Sequence, residues 1–112
     1  MNVLVIAEHN NAEILPATFN TVNAAKQIGT VDLFVIGNKC ENAVNTGSKI
    51  DGLNKVLFCD DKVYENSLAE NISTLIQSIS KDYSHILFAS TASGKNTAPR
   101  LAALLDVMII PD

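Results

Sequence analysis

The apolar stretch Val3-Leu-Val-Ile-Ala7 decides how this chain folds. It carries no charge and does not alternate between polar and apolar side chains. That pattern is typical of a strand buried on both faces of a parallel sheet. Three further short runs, residues 33–36, 56–58 and 86–89, have the same character. The sequence therefore predicts at least four strands that helices cover on both sides.

Segments with helical periodicity separate these runs. In residues 67–81 the apolar side chains recur every three or four positions, after a capping box that begins at Ser67. Residues 18–28 and 96–106 carry similar apolar faces with favourable helix ends. Residues 40–49 predict only a weak helix, because their Asn, Thr, Gly and Ser side chains are poor helix formers.

The strands and helices alternate along the chain, and residues 107–110 predict a fifth strand. This order indicates a single α/β domain over residues 1–112, with a three-layer, doubly wound, mainly parallel sheet of Rossmann-like architecture. Because the fifth apolar run would be unfavourable in water, we expect it to join the sheet or to pack against another chain. We also expect further polypeptide to follow residue 112.

The composition argues against several classes of function. The chain has 112 residues, 47% of them hydrophobic and 18% charged, with a net charge of −4, so a nucleic-acid partner is not expected. Its longest apolar runs have five residues, far below the roughly 20 of a membrane helix, and no signal or transit peptide is recognisable. Cys40 and Cys59 lack metal or disulfide spacing. We therefore expect a cytoplasmic domain without a metal.

Polar residues after strands one and four form the candidate site. Ligands of such sheets bind beyond the carboxyl ends of the strands, where the strand order reverses. If strands one and four are neighbours, Glu8-His-Asn10 faces the loop Ala89-Ser-Thr-Ala-Ser-Gly-Lys-Asn96. This loop has the context of a phosphate loop, but Ala89 replaces its first glycine and Asn96 its Ser/Thr. Two interpretations of this loop stay open. It is either a polar turn with a helix cap or a looser site for a nucleotide or another anion. Such a site would use Ser90, Thr91, Ser93, Gly94, Lys95 and Asn96.

Two catalytic alternatives fit less well. A phospho-acceptor receiver domain would use Asp60 as the acceptor, with Glu8 and Asp61 nearby, but Asp60 lies two residues beyond its apolar run. His9 could act as a general base oriented by Glu8, although adjacent residues of an extended segment point to opposite sides. A solvated loop histidine is therefore favoured. No catalytic nucleophile stands out, and we expect no enzymatic activity.

Several segments resemble the amino-terminal domain of the electron transfer flavoprotein alpha subunit. The most specific is Gly94-Lys-Asn-Thr-Ala-Pro-Arg-Leu-Ala-Ala-Leu-Leu-Asp-Val107. Shorter matches follow the same order along the chain: Val3-Leu-Val-Ile-Ala-Glu-His9, Pro16-Ala-Thr-Phe-Asn-Thr-Val-Asn-Ala-Ala25, Lys55-Val-Leu-Phe58, Leu68-Ala-Glu-Asn71 and Tyr83-Ser-His85. The resemblance covers essentially the whole chain, except that the family usually has an Ala-rich helix at residues 40–49.

The resemblance implies an adenine-nucleotide-hydrolase-like fold and a role in electron transport. Family members are alpha–beta heterodimers with one FAD. They accept electrons from primary dehydrogenases, for example in fatty-acid oxidation, and pass them to a membrane-bound quinone oxidoreductase. The FAD is held mainly by a separate carboxyl-terminal domain of the alpha subunit, and the beta subunit carries AMP, so we expect no cofactor on this chain. The resemblance gives a structural and subunit-docking role to Gly94, Lys95, Asn96, Pro99 and Arg100.

Overall fold

The computed structural model describes residues 2–10, 12–64, 69–88 and 109–111, which form strands alternating with helices. The strands are β1 (Asn2–Ile6), β2 (Thr30–Gly37), β3 (Leu53–Asp60), β4 (His85–Phe88) and β5 (Ile109–Pro111). The helices are α1 (Pro16–Lys26), α2 (Glu41–Gly47) and α3 (Ala69–Ile79), and 3₁₀ turns span Lys62–Tyr64 and Ser80–Asp82.

All five strands join one parallel sheet in the order β3-β2-β1-β4-β5. This confirms the predicted doubly wound α/β fold and the predicted fifth strand. Within β1, Val5 pairs with Leu33 of β2 on one side and with Leu87 of β4 on the other. The strand order reverses between β1 and β4, which is where such sheets form a ligand crevice.

The core lies in two layers, one on each side of the sheet. Val3 and Val5 belong to the cluster that includes Val22 of α1. Leu4, which points to the opposite face, belongs to the cluster that includes Ile76 of α3. All five side chains are at most 1% exposed. Burial on alternate faces explains why β1 needs an uninterrupted apolar sequence.

One strand departs from the sequence-based expectation. β3 was expected to be covered on both faces, but it is the outermost strand beside β2, and Phe58 is 61% exposed. That prediction was wrong because an apolar run does not distinguish a central strand from an edge strand. The predicted helix over 96–106, the capping box that begins at Ser67, and residues 107–108 lie outside the described residues.

Helix boundaries follow local chemistry. α1 begins at Pro16, two residues before the predicted start, because proline has the backbone angle of a first helical residue and needs no amide donor there. α2 forms over Glu41–Gly47 despite its weak propensity. The buried residues Ala43 and Gly47 face the sheet, so packing compensates for poor helix formers.

Close packing of α2 depends on Gly47. A β-carbon at this position would lie 2.9 Å from Cδ2 of Leu33, a side chain with no exposure. Glycine weakens a helix interior by about 1 kcal/mol relative to alanine, but overfilling a packed core costs about 1–3 kcal/mol. The steric cost therefore exceeds the gain in helix propensity.

We expect Gly47→Ala to lower the free energy of unfolding by about 1 kcal/mol, measured by urea denaturation, because the new methyl group displaces Leu33. The control is Asn45→Ala in the same helix at an exposed position, which should raise stability by about 0.5 kcal/mol through propensity. A stabilised Gly47→Ala variant would contradict this account of the packing.

Candidate functional site

The described wall of the crevice is the loop that joins β1 to α1. Its backbone folds back on itself, since His9 and Ile14 form an antiparallel bridge. The Leu15 amide donates a hydrogen bond to the Glu8 carbonyl at 2.9 Å. The described residues of this loop, 7–10 and 12–15, therefore fold back on each other above the carboxyl end of β1.

Thr18 closes the base of this loop. Its hydroxyl donates to the Glu8 carbonyl at 3.1 Å and accepts the Glu8 amide at 2.8 Å, so one buried side chain satisfies both backbone groups of one residue. Thr18 is in the first turn of α1 and has no exposure. The pair of bonds ties α1 to the end of β1.

Asn10 and His9 hold the outer part of the loop. The side-chain oxygen of Asn10 accepts the amides of Ala12 and Glu13 at 3.0 and 2.9 Å. Nε2 of His9 lies 2.7 Å from the Ile36 carbonyl, and because a carbonyl only accepts, Nε2 must donate its proton. His9 is half-buried and anchors the loop to β2, so the interpretation as a solvated histidine was wrong.

This loop is poorly suited to hold a phosphate. A phosphate site here needs outward-facing backbone amides, which a glycine-rich turn supplies, and residues 7–15 contain no glycine. Six of its amides donate inside the protein instead: those of Ala7, Glu8, Asn10, Ala12, Glu13 and Leu15. Two of its side chains are carboxylates, which repel anions.

The residues predicted for the opposite wall of the crevice lie outside the described residues. They are Ser90, Thr91, Ser93, Gly94, Lys95, Asn96, Pro99 and Arg100. Their roles stay predictions.

Asp60, at the end of β3, stabilises the turn that follows β2. Its two carboxylate oxygens accept the amides of Lys39 at 2.7 Å and Cys40 at 3.2 Å, and Lys39 has a φ of +57°, which side chains seldom adopt. β2 separates β3 from β1, whereas receiver-type sheets set the third strand beside the first. The strand order therefore contradicts the receiver alternative, which paired Asp60 with Glu8.

Burial makes Cys40 a poor candidate for a nucleophile. Cys40 and Cys59 are free thiols. Burial raises the pKa of the Cys40 thiol, and the Asp60 carboxylate raises it further, so at neutral pH the thiol stays protonated and is a weak nucleophile. Among the described residues, no three His, Cys, Asp or Glu side chains gather as a metal site, and no helix is long and apolar enough to cross a membrane.

One buried carboxylate, at the amino ends of the strands, was not predicted from the sequence. Asp32 of β2 is 5% exposed. Its carboxylate accepts hydrogen bonds from the Tyr83 hydroxyl at 2.6 Å and from the side-chain amide of Asn54 at 3.1 Å. The Lys55 ammonium nitrogen lies 3.9 Å from the same carboxylate. A register shift between Val31 and Asp32 leaves Asn54 as an extra residue in β3, so two consecutive side chains reach one carboxylate.

This cluster is structural, because it lies at the amino ends of the strands, away from the crevice. Burial raises the pKa of the Tyr83 phenol, and its hydrogen bond to the Asp32 carboxylate raises it further. The sole sequence signal was Asp32 itself, a charged residue beside the apolar residues of β2.

The sheet order and the crevice define a Rossmann-like α/β domain, and comparisons with known proteins specify its family. The sequence model of the family described as the electron transfer flavoprotein domain matches residues 3–112 of this chain. The chain therefore belongs to the electron transfer flavoprotein family, which confirms the resemblance seen in the sequence.

Three relatives show how far the similarity extends. The electron transfer flavoprotein subunit alpha of Pseudomonas aeruginosa is 47% identical over 96% of this chain and 35% of its own length. That of Paracoccus denitrificans is 40% identical over 100% of this chain and 37% of its own length. The mitochondrial electron transfer flavoprotein subunit alpha of Dictyostelium discoideum is 37% identical over 97% of this chain and 33% of its own length. The chain spans about a third of the length of these relatives.

We expect Thr18→Val to lower the free energy of unfolding by about 1–3 kcal/mol, because the Glu8 amide loses its buried acceptor. Thr18→Ser is the matched control: it keeps the hydroxyl and loses only a methyl group, so its cost should be clearly smaller. Thermal and urea unfolding of both variants provide the comparison. Equal losses would show that the hydroxyl bonds contribute little.

Tyr83 gives the protein a specific sensitivity to alkali. Its folded-state pKa lies above the value of about 10 in an unfolded chain, so its contribution to stability is complete below pH 10 and declines as the pH rises further. Tyr83→Phe should cost about 1–3 kcal/mol at neutral pH and flatten the alkaline decline.

The measurement is urea denaturation of both proteins between about pH 8 and 12. Up to pH 10 the difference in their free energies of unfolding should stay constant, and above pH 10 it should shrink as the pH rises. A difference that stays constant to pH 12 would contradict the assignment.

Proposed function

We propose that this chain is the amino-terminal scaffold and subunit-docking domain of an electron transfer flavoprotein alpha subunit. In the complete protein, electrons would pass from primary flavin dehydrogenases to a membrane quinone oxidoreductase, in the cytoplasm of a bacterium. FAD carries the redox chemistry, and polypeptide outside residues 1–112 holds it. The present chain contributes shape and a binding surface rather than a reacting group.

The closed β1–α1 loop is the observation that supports this proposal. A domain that itself held a dinucleotide would leave amides free at the carboxyl end of β1. Here those of Glu8 and Leu15 are bonded to Thr18 and to the loop backbone. The loop therefore suits a rigid platform.

For the docking role we propose the family motif, Gly94, Lys95, Asn96, Pro99 and Arg100. It follows β4, the strand beside the crevice. Arginine is among the residues that contribute most to protein interfaces. The chain as a whole has a net charge of −4, so Arg100 and Lys95 would give a docking surface positive charge that most of the chain lacks.

A second function, a nucleotide-binding module that uses Ser90–Lys95, is favoured by the topology. The loop that contains these residues follows β4 at the point where the strand order reverses, the usual position of a nucleotide in this fold. This alternative differs from the docking role in one measurable respect, because it requires the isolated chain to bind AMP or ATP.

The docking proposal predicts that the purified chain is colourless and forms a one-to-one complex with an electron transfer flavoprotein beta subunit, measured by calorimetry. Arg100→Ala should weaken the complex by about tenfold or more, and Lys81→Ala, an exposed control in the 3₁₀ turn Ser80–Asp82, should not.

Two results would overturn this assignment. A flavin spectrum in the purified chain would contradict the proposal that FAD is held elsewhere. Micromolar binding of AMP or ATP that Lys95→Ala abolishes would favour the nucleotide-binding module instead.

A further inference from the structure

On its outer side, β3 pairs with no strand in the part of the chain that the structure describes. In a parallel sheet, alternate residues of a strand bond to the same neighbour. The Asp61 amide, just after β3, donates to the Gly37 carbonyl of β2. By alternation the amides and carbonyls of Val56, Phe58 and Asp60 face outward, and β3 is the last strand on this side of the sheet that the described residues form.

The two halves of this edge differ. The amino half has the extra residue Asn54 and the charged Lys55, both of which are known means of blocking edge-to-edge pairing. The carboxyl half is regular in its pairing with β2 and displays Phe58, whose side chain is 61% exposed. Only the carboxyl half therefore suits an added strand.

We propose that this half of β3 pairs, antiparallel, with the same edge of a second copy of this chain. A two-fold axis at Phe58 would set the two Phe58 residues opposite each other and Val56 opposite Asp60, so that outward amides meet outward carbonyls. The same register places Lys55 of each copy opposite Asp61 of the other. The Lys55 side chain is 57% exposed although its ammonium lies 3.9 Å from Asp32 of the same chain, so it can also face a second carboxylate, and Asp61 is exposed.

Antiparallel self-pairing fits this edge because its positive and negative residues lie at opposite ends of the strand. A positive residue lies near its start and a negative one directly after its end, so antiparallel copies bring unlike charges together twice. Opposite-charge and aromatic cross-strand pairs each stabilise a sheet by about 0.2–1 kcal/mol. A parallel arrangement would instead place like charges side by side.

Sedimentation equilibrium of the 112-residue chain alone tests the proposal, over a range from about 10 μM to 1 mM. We expect a reversible monomer–dimer equilibrium. Phe58→Lys should raise the dimer Kd by about tenfold or more, because it sets two ammonium groups across the axis. The matched control is Phe19→Lys on α1, the other exposed phenylalanine at 40% exposure, which should leave the Kd unchanged.

Crosslinking tests the register. Directly opposed residues of a hydrogen-bonded antiparallel pair have Cα atoms about 5.5 Å apart, within the range for a disulfide. In a Cys59→Ser background, Phe58→Cys should therefore give a disulfide-linked dimer on mild oxidation, and Phe19→Cys should not. Circular dichroism establishes that each variant is folded.

A chain that stays monomeric throughout this range, or a dimer whose Kd Phe58→Lys leaves unchanged, would overturn the proposal. Because these experiments contain neither flavin nor a beta subunit, their outcome is independent of the docking function proposed above.

Discussion

Burial of β1 on both faces is the constraint on which the rest of the structure depends. Val3, Leu4 and Val5 have no exposure and Ile6 has 9%, while the strand bonds to β2 on one side and β4 on the other. Both layers of helices are needed to exclude water from such a strand, and parallel neighbours need crossover connections of this kind. The strand therefore also sets where the chain reverses its order and where a crevice can form.

What happens at the carboxyl end of β1 decides how that crevice can be used. In dinucleotide-binding sheets a glycine-rich turn exposes amides to a phosphate. Here a buried hydroxyl, Thr18, and a histidine, His9, join the loop to α1 and β2. A loop in which six backbone amides donate within the protein is suited to contact another part of a protein, which agrees with a family in which a bound flavin supplies the chemistry.

Much of this fold could be predicted from uninterrupted apolar runs, because β1, β2 and β4 are buried on both faces and their sequences contain such runs. The sequence did not allow a firm prediction of helix α2, because that helix depends on packing around Gly47. Nor could the exposure of Phe58 be predicted, because it depends on which strand lies at the end of the sheet. The site was predictable only in position: Glu8, His9 and Asn10 do lie beside the crevice. Their partners could not be predicted, because Thr18 and Ile36 come from separate elements.

Amide hydrogen exchange of residues 8–15 tests the central claim most directly, namely that the protein's own hydrogen bonds close the end of β1. We expect the amides of Glu8 and Leu15 to exchange far more slowly than exposed loop amides, and saturating AMP to leave their exchange unchanged. Rapid exchange at both positions, or protection that develops only when a nucleotide is added, would contradict it.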